Sequence, residues 1–387
     1  VLIDRLVVGG LRAYPPQPTT IRLAPLTLVF GPNSAGKSTL LSVVPMLQQT
    51  AARPNVLTMS GDLVEGGTFR MAVHRHDERT PITLGVGWHD AAGVGHELAA
   101  SFVWDPERRL AVRSRTTGRR GGTAVDLTGP APWGDQTTAE VGAALREHLV
   151  ERLERVYFVG PMRARAERTT FVGQGLDDYI GPAGEEMAAI LAGRRDLLAS
   201  VNRWCDRLGL GYRVRILDPV NQDLVKTAGE FSVLALEDVR HDLPVLVSSR
   251  AVGYGIGQVL PIIVQSLLSR DALILIEQPE VHLHPRLQSA VGDLLVDTVT
   301  AGRAQVLVET HSEHLVLRLL RRVREGRLAP ADLAILYVDL HDDGGAFVRR
   351  LAVDDAGDLV DGWPGGFFDD RLADVLPRLA GPDGPVR

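Results

Sequence analysis

Hydrophobic positions along the chain follow three patterns. Unbroken apolar runs at LTLVF (residues 26–30) and LILI (273–276), and the shorter VLV of AQVLVET (306–308), have the β-branched content of buried strands. PITLGVGWHD, HELAASFVWD and RRLAVRSRTT instead alternate apolar and polar residues between turn-rich stretches, as an antiparallel sheet does. YRVRIL, FSVLALEDV and LPVLVSS form a second sheet-like group. Helical periodicity governs TTAEVGAALREHLVERLE, which opens on threonine, and EEMAAILAGRRDLLASVNRWCDRLG, which fits one helix or a pair. No heptads are sustained after residue 50, so a long coiled-coil arm is not expected. RTTGRRGGTAVDLTGPAPWG reads as an exposed loop with solvated arginines rather than a nucleic-acid patch.

The expected fold is α/β: one nucleotide-binding head over 1–330, interrupted by a β-rich antiparallel subdomain and a helical insertion. Within it, 1–60 form a first lobe, 61–135 the antiparallel subdomain, 136–250 the helical and β insertion, and 251–330 the remaining site elements. Residues 331–387 are expected as a small C-terminal domain.

Composition narrows the class. With 387 residues, 45% hydrophobic and 23% charged, the chain can build a sizeable core. A net charge of −6 argues against a uniformly basic nucleic-acid coat. The lone Cys205 allows neither an internal disulfide nor a cysteine metal cluster, which fits a reducing cytoplasm. No apolar run nears the ~20 residues of a membrane span. Among 42 basic residues only Lys37 and Lys226 are lysine, so a lysine is conspicuous here.

Lys37 lies in Gly31-Pro32-Asn33-Ser34-Ala35-Gly36-Lys37-Ser38-Thr39, between an apolar strand and an apolar helix. The spacing G-x-x-x-x-G-K-[ST] in that setting turns backbone N–H groups around phosphate oxygens at a helix N-terminus. Lys37 supplies a compact point charge to the phosphates, and Ser38 a hydroxyl to Mg²⁺. LILIEQPE ends a second strand in acid. Glu277 is placed to hold the metal, whereas Gln278, next in line, can orient water but cannot take its proton. The third strand ends in Glu309-Thr310-His311-Ser312-Glu313. Glu309 and His311 share parity on an extended chain. They either reach the γ-phosphate together, with Glu309 supplying the missing base, or Glu309 caps the next helix or pairs with an arginine. Glu280 is a further candidate base. Gly253, Gly255 and Gly257 precede Gln258 and an apolar helix, as a simple turn or as the second half of a composite site. His282 and His284 shape the loop after the metal strand rather than bind metal. Gln48 and Gln49 are expected at the surface, and the acids of DLAILYVDLHDDGG on an edge strand and turn.

In that order GPNSAGKST, GYGIGQ, LILIEQPEVHLHP and ETHSEH resemble an ABC-type ATPase of the AAA group, related to the overcoming-lysogenisation-defect (OLD) and RecF/SMC ATPase heads. VYFVGPMRARAER and the tail WPGGFFDD are similar to a stand-alone prokaryotic branch with a small C-terminal domain and no Toprim nuclease. The resemblance implies ATP and Mg²⁺, bound between two copies arranged head to tail, with an effector protein or nucleic acid as further partner and no membrane. It implies phosphate and metal roles for Lys37 and Ser38, the metal acid at Glu277, the catalytic acid position at Gln278 and the switch histidine at His311. Gly255 falls where the signature serine of ABC proteins would stand, and Gly257 and Gln258 follow it. The function implied is an ATP-binding and ATP-hydrolysing dimeric switch in DNA maintenance or anti-phage defence. The alternative is an ATP-binding scaffold with little turnover, because of Gln278.

Overall fold

The computed structural model describes residues 2–53, 55–121, 123–126, 136–164, 169–171, 178–218 and 231–364. The P-loop strand β3 (Leu26–Phe30) lies inside a six-stranded sheet that also holds β8 (Val156–Val159), β13 (Ala272–Glu277), β14 (Ala304–Glu309), β15 (Leu333–Leu340) and β16 (Ala346–Leu351). Their order is β16-β15-β3-β14-β13-β8, all parallel except the hairpin return β16. The apolar runs are continuous because both faces are covered. Strand parity then divides the core in two. Leu28, Phe30, Ile274, Ile276, Val306 and Val308 face one cluster, and Val29, Leu273, Leu275 and Leu307 face the other.

On the second face lies the P-loop helix α1 (Lys37–Ala51), together with the antiparallel sheet β2-β1-β4-β5-β6-β7. That sheet comprises β1 (Arg5–Gly9), β2 (Thr19–Arg22), β4 (Ile82–His89), β5 (Gly95–Asp105), β6 (Leu110–Arg120) and β7 (Thr123–Asp126), with a single helical turn α2 (Phe69–Ala72) between β3 and β4. Helix α3 (Gln136–Leu153) contributes Leu145, Leu149 and Leu153 to the same cluster. The first face is covered by α4 (Met187–Gly193), α5 (Leu198–Leu208), α6 (Tyr254–Leu268), α7 (Pro285–Thr300) and α8 (Glu313–Arg324). The small sheet of β9 (Thr169–Phe171), β10 (Tyr212–Leu217), β11 (Phe231–Asp238) and β12 (Val245–Ser248) completes it.

The alternating segments do pair antiparallel, and the helical stretch before Gly209 is a pair, α4 and α5. Three expectations change. Residues 115–121 and 123–126 are not a loop: β6 runs on to Arg120 and pairs with β7, while the rest of that stretch lies outside the described residues. A sheet with one wet face tolerates arginine at its outward positions, which is why the segment reads as loop. Residues 333–351 do not stand apart from the head. β15 is an internal strand bonded to β3, and β16, not β15, is the edge. Trp363 packs edge-on to Phe30, with ring centroids 6.3 Å apart; the WPGGFFDD tail beyond Pro364 lies outside the described residues. Finally, Gln49 is half-buried and not free at the surface. Its Oε1 accepts the N–H groups of Leu63 and Val64 at 2.9 Å each, pinning the loop beside α1.

Gln305, at the start of β14, buries its amide against the N-terminal strand. It accepts from Leu2 N and Ile3 N and donates to Ile3 O and Ala24 O. Gln305→Leu leaves these backbone groups without partners, and is expected to lower stability by about 2–4 kcal/mol in urea unfolding.

Candidate nucleotide site

Three parallel strands end at one edge, the place where open α/β sheets bind ligands. β3 delivers the P-loop, β14 delivers Glu309 and β13 delivers Glu277, which pairs in register with Glu309. Gly31 turns at φ +145°, and a Cβ there would sit 2.0 Å from Val338 O, so β15 is the floor of the P-loop. Gly36 (φ +106°) lets the chain enter α1 beneath Tyr14, whose hydroxyl donates to Gly36 O at 3.3 Å. The result is a cleft of about 490 Å³ lined by Arg12, Ala13, Asn33, Ser34, Gly36, Lys37, Ser38, Thr39, Gln278, Glu309 and His311. A second cavity, of about 340 Å³, lies at the opposite end of the same strands, against Pro25, Ala272 and Ala304.

Lys37 is buried and donates to Gly31 O (3.1 Å) and Pro32 O (2.6 Å), so its loop carbonyls hold the ammonium in place. Burial lowers its pKa, and Glu309 and Glu280 oppose that shift. The Ser38 hydroxyl donates to Glu309 Oε1 at 3.0 Å and lies beside the Glu277 carboxylate. Glu309 is 2% exposed and its Oε2 has no partner among the described residues. Desolvation, then the neighbouring Glu277 charge, pushes its pKa from 4.5 to about 7. Burial likewise raises Glu277 and Glu280.

Glu280 differs from Glu309 in being fully engaged. It accepts from Thr310 Oγ1 at 2.8 Å and from His311 N at 2.5 Å. Ser312, not Glu309, caps α8, accepting from Leu315 N. The strand ends at Glu309, yet His311 still lines the cleft, its pKa lowered by partial desolvation inside the cleft and by the Lys37 charge. Gln278 sits at φ +44° with its N–H on Glu309 O at 2.8 Å.

The structure does not bring Gly255, Gly257 or Gln258 into this cleft. The expected glycine turn is instead the first turn of α6, capped by Gly253. Gly257 has open space around it, and Gly255 lies against His282 O. Gln258 faces inward, buried, its Nε2 on Arg163 O at 3.0 Å, so the side chain is not presented to a nucleotide. Arg163, in the loop after β8, is a residue that sequence reasoning did not single out. It is 4% exposed and reaches Glu277 O at 2.7 Å. The available signal was its place just past an apolar strand, in VYFVGPMR.

Among the described residues no three His, Cys, Asp or Glu side chains form a ready metal cage. His284 caps α7, accepting from Arg286 N, and His282 stacks on Tyr254. Magnesium does not need such a cage; a hydroxyl and one or two carboxylates suffice when phosphate and water complete the shell. Ser38 beside Glu277 and the unpartnered Glu309 Oε2 fit that requirement.

A family described as "AAA domain, putative AbiEii toxin, Type IV TA system" matches residues 207–318, from the end of α5 into α8. Among solved structures, an SMC head bound to the C-winged helix domain of ScpA is 13% identical, with a TM-score of 0.55 over 90% of this chain and 98% of that one. An SMC head with an extended coiled coil, bound to the C-terminal domain of ScpA derived from Pyrococcus furiosus, is 12% identical, with a TM-score of 0.50 over 98% and 99%. No curated protein sequence matches. The fold is therefore that of SMC head domains. Among the described residues no helix is long and apolar enough to cross a membrane.

A carboxyl group whose folded pKa lies above its unfolded value costs stability as pH rises between the two. For Glu309 that window runs from about 4.5 to about 7. Glu309→Gln keeps an acceptor for Ser38. It is expected to equal wild type near the lower limit, and to exceed it by roughly 1–3 kcal/mol at pH 8 in urea unfolding without nucleotide.

Proposed function

We propose that the chain is an ATPase head that binds and hydrolyses ATP as a nucleotide-gated switch, two copies closing head to tail around the nucleotide. The observation that carries this reading is the convergence of Lys37, Ser38, Glu277 and Glu309 at the ends of adjacent parallel strands. In it the amides of Asn33 to Lys37 face the phosphates, and Lys37 leaves its two loop carbonyls for the β/γ-phosphate oxygens. Ser38 and Glu277 hold Mg²⁺, which when bound neutralises phosphate charge. Glu309, with a free oxygen and a pKa near neutrality, takes the proton of the attacking water in place of Gln278. Gln278, held at the cleft wall, orients that water, and His311 contacts the γ-phosphate side. Glu280 is a positioning group, since both its oxygens are spent on residues 310–311.

The open first turn of α6, with Gly255 and Gly257, is then the surface offered to the partner copy's nucleotide. A role in DNA maintenance or phage defence, with a separate effector or nucleic acid, accompanies this reading. Its support is the SMC-head fold and the matched family's description. Cytoplasmic placement rests on the single buried cysteine.

A second reading, an ATP-binding scaffold with little turnover, is favoured by Gln278 alone. Phosphate release measured beside ATP-dependent dimerisation separates the two. Turnover is expected in wild type and is absent in Lys37→Ala. Glu309→Gln is expected to lower kcat by ~10²–10⁴-fold, as loss of a general base does, while still binding ATP. Glu280→Gln is expected to lose less. If Glu309→Gln turns over like wild type, the base is elsewhere; if wild type dimerises without releasing phosphate, the scaffold reading stands.

A further inference from the structure

Arg163 and Gln258 lie 95 positions apart and hold each other. Gln258 Nε2 donates to Arg163 O at 3.0 Å, and Arg163 Nη1 donates back to Gln258 O at 3.4 Å. Both side chains are 4% exposed. The other guanidinium nitrogen, Nη2, donates to Glu277 O at 2.7 Å and reaches Gln278 O at 3.4 Å. One buried fork therefore joins the first turns of α6 to the last peptide groups of the metal strand. A lysine could not do this, since a single ammonium lacks the planar spread of donors.

Two features indicate that the link does more than fill space. Gln278 is held at φ +44°, a conformation that a residue with a side chain keeps only when its surroundings impose it. Its N–H is fixed by Glu309 O, and its carbonyl by Arg163. Among the described residues the buried Nε of Arg163 has no hydrogen-bond partner, so both terminal nitrogens, not Nε, carry the link. The chain around it is firmly built: Gly160 N donates to Pro182 O and Ala164 N to Ala183 O, both at 2.8 Å. A Cβ on Gly184 would come within 2.9 Å of the Pro261 ring, so this strap lies flush against α6. Displacement of α6 would accordingly reach the Glu277–Gln278 turn through Arg163.

We infer that Arg163 is a positioning residue. It couples the α6 N-terminus to the turn that presents Glu277 and Gln278 to the nucleotide, so that the seating of a partner on α6 sets the geometry of the metal acid and the water-orienting amide. This rests on the proposed ATPase reading for its consequence, but not for the link itself.

Amide hydrogen exchange of the nucleotide-free protein tests the link, and steady-state kinetics with Mg-ATP tests its consequence. In Arg163→Lys and in Gln258→Met, the Gln278 amide is expected to exchange at least tenfold faster than in wild type, with protection of β14 and α7 unchanged. The same variants are expected to lower kcat at least tenfold, with KM for ATP within about threefold. The Arg163→Lys, Gln258→Met pair should lose no more than the worse single variant, as members of one unit do. Unchanged Gln278 exchange in both variants overturns the inference, and so does additive loss in the pair. If Arg163→Lys unfolds, Gln258→Met decides alone. Should wild type itself fail to turn over ATP while the exchange result holds, the function proposed above fails and the coupling survives.

Discussion

Three glutamates end side by side at one edge of the central sheet, and the rest of the site is arranged around their mutual repulsion. Glu277 and Glu309 are neighbours because β13 and β14 pair in parallel register, and the turn after β13 returns Glu280 to the same place. Removal from water raises all three, and at Glu309 the neighbouring charges of Glu277 and Glu280 add to the effect. Two buried cations, Lys37 and Arg163, stand against them. The surplus is relieved at Glu309, which takes up its proton near neutrality. Under the proposed function, a pocket with this balance favours a triphosphate whose charge a cation already offsets, a preference set by the acids as well as by the P-loop.

Legibility in the sequence followed distance along the chain. The P-loop was readable because its strand, its glycines, Lys37 and its helix are consecutive, and the φ values at Gly31 and Gly36 are those only glycine reaches easily. The acidic strand ends were readable because LILI and VLV can only be buried strands, and each run stops at a carboxylate. What was missed depends on partners far away. Nothing local in LAILYVDL reveals that it lies beside β3, some three hundred residues upstream, so the segment looked like the start of another domain. RTTGRRGGTAVD looked like loop because the wet side of an antiparallel ribbon carries arginine and threonine. Arg163 was one arginine among many, and its importance comes from burial against Gln258 and Glu277, which no spacing encodes. Gln258 was placed at a nucleotide surface because it follows three glycines; helix phase instead turns it inward.

The amide at position 278 follows from the same electrostatics. A glutamate there would be a fourth carboxylate at the edge that already holds three, and the next residue to feel it would be Glu309, whose charge is the costliest of the set. Its backbone is committed as well: the N–H to Glu309 O and the carbonyl to Arg163 fix the turn at a positive φ whichever side chain it bears. The position therefore needs a side chain that reaches the cleft, bonds water and carries no charge, and glutamine meets all three conditions. In the proposed function, acid–base work then passes to Glu309, whose buried Oε2 has no partner among the described residues. Pairing of β13 with β14 holds that oxygen at the cleft, so under that reading the sheet register is what lets the two strands exchange roles.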